Sequence, residues 1–198
     1  MPSATIASLS ADLQTIVKRG DLQADGVLHL KNALLKAHTS DYYLKDIYET
    51  NFQFGQAATN YTLDYKLLIP RWRTIKYLEI VDPISLQSTK PLEGIPLEKW
   101  LDGYGYIRDY VYYLAGSNIQ IRVSGQDTVF GVGCYLYPDT TLAIPSWIAD
   151  EFPFAILYEA ARTLFKVIGY DEQSASMERL VAEAMAEVKQ TGITTTGH

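Results

Sequence analysis

The chain has 198 residues, 47% of them hydrophobic and 20% charged, and a formal net charge of -6. That balance predicts a soluble globular protein of one domain or two small ones and excludes extended disorder. The acidic excess, with basic residues scattered, excludes a domain that grips phosphates and reads nucleic-acid sequence.

Cys134 is the single cysteine, so no internal disulfide is expected. No basic stretch followed by an apolar core follows Met1, which points to synthesis in a reducing compartment. No apolar run approaches the ~20 residues that a spanning helix needs, so no membrane role is expected.

Two helices open the chain. Ile6, Leu9, Leu13, Ile16 and Val17 recur at helical spacing, predicting a helix over residues 4–18 that ends near Gly20. Val27, Leu30, Leu34 and Ala37 predict a second over 26–39. The period then changes. Tyr61, Leu63, Tyr65 and Leu67 alternate with polar residues and predict a strand over 61–67. Aromatic and β-branched side chains predict another over 72–81. Residues 110–115 and 119–123 read as a hairpin turning through Gly116, Ser117 and Asn118, and 128–137 as a last strand.

Residues 83–105, punctuated by Pro83, Pro91, Pro96, Gly94, Gly103 and Gly105, predict an extended loop. Loops that long inside a domain are commonly binding arms, so Leu92, Ile95, Leu97, Trp100, Tyr104 and Tyr106 are candidate partner contacts. Tyrosine numbers fifteen and gathers around this loop and the junction near Tyr42, Tyr43 and Tyr48, consistent with strand surfaces or buried interfaces.

Ile144 and Pro145 end the β region. Asp150 is the expected N-cap of a long apolar helix, with Pro153 in its first turn and Gly169 at its end. A final helix from Asp171 carries Met177, Leu180, Val181, Ala184, Met185 and Val188 on one face. The fold expected is α+β. The N-terminal helices (1–45) and C-terminal helices (144–190) close into a four-helix bundle around an inserted antiparallel β region (46–143), and the polar tail 191–198 frays unless assembly orders it.

A search for chemistry points away from an enzyme. Gly131 and Gly133 lack the third glycine and helix of a dinucleotide site, and mark instead a bulge or close backbone approach. His29 and His38 are nine apart and Cys134 has no partner cysteine, so neither metal nor cofactor is expected. Cys134 reads as a buried structural thiol beside Phe130, Val132 and Leu136. The carboxylate pairs Glu79 with Asp82 and Asp150 with Glu151 leave a small carboxylate-dependent hydrolase as a distant alternative; helix capping explains the second pair.

The run Ile69, Pro70, Arg71, Trp72, Arg73, Thr74, Ile75, then Tyr112, Tyr113, Leu114, Ala115, Gly116, then Tyr135, Leu136, Tyr137, Pro138, together with Trp147, Pro153, Ala160, Ala161, Phe165 and Gly169, resembles head-to-tail adaptor (connector) proteins of tailed bacteriophages. The resemblance covers about residues 5–190. It implies a homo-oligomeric ring, commonly a dodecamer, made in the host cytoplasm and placed in the virion neck between the portal protein and the tail tube or nozzle protein, through which genomic DNA passes non-specifically. By position it implies a docking segment at Lys189, Gln190, Thr191, Gly192, Ile193, Thr194, Thr195, Thr196, Gly197 and His198. A stopper or tail-terminator ring of the same virion is the nearest alternative, with the 83–105 loop as its main contact. In either ring, acidic subunits would repel passing DNA and leave cohesion to buried contacts.

Overall fold

A computed structural model describes residues 5–101, 108–125, 127–141 and 146–193. Among the described residues the chain is α+β, with seven α-helices and two four-stranded sheets. It divides into two compact units, one comprising residues 1–46 and 137–198, the other Ile47–Leu136.

Helix α1 spans Ile6–Val17 and α2 spans Gln23–Thr39. Thr5 caps α1 by accepting from the Ser8 amide, while the Ser8 hydroxyl oxygen accepts from the Thr5 amide, so two amides at the helix start are satisfied reciprocally. Lys18 takes the left-handed conformation at φ 56° and ends α1, and Gly20 opens a 3-10 turn into α2.

Strand β1 (Ile47–Gln53) follows, then β2 (Asn60–Asp64) and the one-turn helix α3 (Tyr65–Leu68). The strand expected to reach residue 67 stops at Asp64, whose carboxylate accepts from the Leu67 amide and starts α3; Leu67 is left 78% exposed. Strand β3 is Trp72–Val81, β4 Ser88–Pro91 and β5 Glu93–Gly94, followed by α4 (Leu97–Leu101). The extended loop is thereby corrected: much of its described part is strand and helix. Strands β6 (Val111–Ala115) and β7 (Asn118–Arg122) form the hairpin, turning where Gly116 takes φ 63°. Strand β8 is Val129–Leu136.

Sheet order is β1-β8-β3-β4 in one sheet and β2-β7-β6-β5 in the other. All pairings are antiparallel except β5 with β6, where two residues pair in parallel. Phe130, Val132, Cys134 and Leu78 of the first sheet share a core with Tyr61, Leu63, Ile119 and Ile121 of the second.

The chain then enters α5 (Trp147–Glu151), α6 (Pro153–Val167) and α7 (Asp171–Ile193). Ile144 and Pro145 lie outside the described residues. The expected cap at Asp150 is corrected: Asp150 lies inside α5, which Ser146 caps by accepting from the Ala149 amide, while the long helix α6 starts after Phe152 without a side-chain cap, with Pro153 in its first turn. Gly169 at φ 81° follows the end of α6. Helix α6 packs against α1, α2 and α7. Leu30 and Leu34 of α2 meet Ile156, Leu157 and Leu164 of α6 in one core, each worth ~1.5–3 kcal/mol of buried apolar surface.

Candidate functional site

Within the helical unit, α2, α6 and α7 enclose a pocket of about 130 Å³. Ala33, Ala37 and Ala155 form its floor because small side chains leave room there, and Val181 and Met185 of α7 form one wall. At its rim stand Lys36 and Lys189. Glu159 is buried in the helix core and accepts from Lys36 Nζ at 2.6 Å and from Arg162 at 2.9 Å. Burial pushes the Glu159 carboxyl up, but the hydrogen bonds and charges of Arg162 and Lys36 outweigh it and hold the group below its ordinary value.

A second polar arrangement lies where α2 leads into the 3-10 turn Leu44–Asp46. One Asp46 oxygen meets His38 Nδ1 at 2.8 Å and the other accepts from Trp147 Nε1 at 2.8 Å. His38 and Asp46 are both buried, and Tyr43 packs edge-on to the Trp147 ring at 5.4 Å. Sequence reading missed this network because Asp46 and Trp147 are far apart in the chain.

On the β unit, Gly131 and Gly133 allow Glu79 and Tyr77 of β3 to lie flat on β8. A Cβ at Gly133 would overlap the Tyr77 ring, the close approach expected of glycine in a strand. Tyr77 donates its phenol to Glu49 Oε1 at 2.5 Å, and burial together with Glu49 pushes the phenol pKa well above its usual value. Of the carboxylates singled out from sequence, Asp82 accepts from the amides of Ile84 and Ser85, which stabilise its charged form and fix a turn. Cys134 is fully buried and its thiol is pushed up to about 11 by desolvation. No group of three or more His, Cys, Asp or Glu among the described residues could hold a metal ion.

The expected partner contacts divide. Leu92 and Ile95 are buried, Leu92 within the chain's own β core. Trp100 packs its ring on Tyr113 at 4.7 Å and on the Arg122 guanidinium at 4.0 Å. Leu97 remains 46% exposed. Tyr104 and Tyr106 lie outside the described residues. At the C-terminus, the fraying expected from residue 191 is corrected: α7 continues through Thr191 and Gly192 to Ile193, and Gly192 is buried against Tyr43. Lys189 and Gln190 are exposed, and 194–198 lie outside the described residues.

Sequence reading also missed the turn between β3 and β4. There Ile84 is 92% exposed and Leu86 60%, and Leu86 holds a left-handed φ of 55°. Leu86 donates its amide to the Asp82 carbonyl, and the Asp82 amide donates to the Gln87 carbonyl, so the apolar tip is tied down at its base. Its only sequence signal was two large apolar residues amid turn formers.

The whole is an α+β chain of two units that presents an amphipathic pocket and an apolar hairpin tip. No helix among the described residues is long and apolar enough to cross a membrane. The sequence matches no family model and no curated protein.

Proposed function

We propose that this chain is a structural, non-enzymatic virion protein that forms a ring in the neck of a tailed phage, joining the portal to the tail and letting DNA pass. The observation that carries the reading is the discontinuous helical unit: helices from both ends of the chain share one core, with the β unit inserted between them. We read the pairs α1 with α2 and α6 with α7 as a four-helix bundle, the scaffold that the adaptor resemblance implies. A net charge of -6 suits a lumen over which a polyanion slides.

Copies of the chain, the portal protein and the tail tube or nozzle protein are the partners in this reading, and the virion neck is its place. Because Val188 and Gly192 are buried, the separable part of the docking segment is 194–198. The test is the mass in solution of the purified chain, alone and mixed with a portal protein, for the full chain and for one ending at Ile193. The reading expects a ring-sized complex from the full chain and weakened portal binding from the shortened one. A full chain that neither forms rings nor binds portal overturns it.

The exposed Ile84 and Leu86 favour a second reading, a stopper or tail-terminator ring whose main contact is the 83–105 segment. Shortening the tail would then leave binding unchanged.

A further inference from the structure

A side chain as large as isoleucine or leucine at the tip of a hairpin forgoes burial that would stabilise the fold, and a left-handed leucine adds a local cost. Ile84 and Leu86, two residues apart, both show the first feature, and Leu86 shows the second. Single exposed apolar residues are ordinary. Two on a turn braced by Asp82, with Pro83 between that brace and Ile84, make a stiff apolar knob whose conformation is already set, so little order would be lost on docking.

The same chain carries a hole. The pocket between α2, α6 and α7 is about 130 Å³, close to the ~150 Å³ of an apolar cavity that takes up a benzene ring. That is room for one branched aliphatic side chain. Charge agrees as well: the knob carries the Asp82 carboxylate at its base, held ionised by turn amides, and the hole, where Lys36 is already paired with the lining carboxylate of Glu159, carries Lys189 at its exposed edge.

We infer that the Ile84–Leu86 hairpin tip of one copy docks into the α2–α6–α7 pocket of a second copy, with Asp82 facing Lys189. The occupant is another copy because both halves of the contact are present once in each chain. A knob and a hole on different surfaces make a heterologous contact, which repeats from subunit to subunit and closes into a ring where the rotation allows. The local pairing of opposite charges also offsets the repulsion between subunits that each carry -6. This inference rests on the ring reading and specifies its subunit contact.

Sedimentation of the full chain over a range of concentrations up to its solubility limit, alone and with portal protein, tests it. Ile84→Asp removes the knob and Val181→Trp fills the hole. Lys189→Glu reverses a charge on the exposed rim, where folding is not at stake. Each variant should weaken self-association about tenfold or more. Mixing Ile84→Asp with Val181→Trp should restore association, but only as pairs, since one intact knob and one intact hole remain. Wild-type rings that persist unchanged in Ile84→Asp and Lys189→Glu overturn this contact and leave the ring reading standing. A wild-type chain that stays monomeric throughout, with portal protein included, overturns both.

Discussion

Gly192 of α7 lies directly on the ring of Tyr43, so close that a Cβ at residue 192 would overlap Tyr43 Cδ1. Tyr43 is fully buried and hydrogen-bonded to Ser40 at 2.9 Å, which leaves its ring little freedom to retreat. In an exposed helix, replacing glycine with alanine raises stability by roughly 0.5–1 kcal/mol. Here the sign reverses: Gly192→Ala costs about 1–3 kcal/mol through overpacking and lowers the melting temperature. Thermal unfolding followed by circular dichroism checks it, and a rise in melting temperature would count against the contact.

Asp46→Ala leaves His38 and the Trp147 indole without the carboxylate they share. Removing the shared acceptor from a buried hydrogen-bonded network costs about 2–4 kcal/mol, whereas Trp147→Phe, which loses one hydrogen bond, costs closer to ~1–2 kcal/mol. Urea unfolding of both variants measures the difference. Equal losses would mean that packing of the indole, and not the carboxylate, sustains this corner.

Glu159 gives stability a pH dependence of known sign. Its folded pKa lies below the ordinary 4.5, so the unfolded chain takes up the proton first as pH falls. The contribution is fully present above the ordinary range and is lost as pH drops through the folded value. Glu159→Gln should therefore be less stable than wild type by about 1–3 kcal/mol at neutral pH, with the gap shrinking below about pH 4.5. Chemical unfolding of the two proteins at neutral and acidic pH reads the gap directly.

Leu86→Gly separates folding from assembly. Glycine relieves the left-handed strain, worth roughly 1–2 kcal/mol, against its own entropic cost of roughly 0.5–1 kcal/mol, so stability holds or rises by up to about 1.5 kcal/mol. Self-association should weaken in the same protein. Melting temperature and sedimentation on one sample test both halves.

Local patterns carried much of the fold. Aromatic and β-branched residues from Trp72 to Val81 mark β3 to the residue, because that strand is half-buried and reads as such without its neighbours. Strand β1 was missed because Glu49, Asn51 and Gln53 make its sequence polar; it is a strand by virtue of pairing with β8. The end of α7 was misread for a related reason. Thr191 and Gly192 are poor helix formers, and the helix runs on through them where Gly192 packs on the Tyr43 ring. The pocket and the Asp46 network were hidden because both gather residues from the two ends of the chain, and neither leaves a local pattern. The apolar hairpin tip was local, but its meaning lies in exposure and backbone conformation, which sequence does not display.

Sharing one core between the first and last helices also orders events during synthesis. Leu30 and Leu34 leave the ribosome long before Ile156 and Leu164 exist, while the whole of Ile47–Leu136 is being made at ~5–20 residues per second. For those seconds the first two helices present an uncovered apolar face, and the β unit is the first part able to complete its own core. A chain ending at Leu136 and released from the ribosome should be protease-resistant in its β unit and chaperone-bound at its N-terminus.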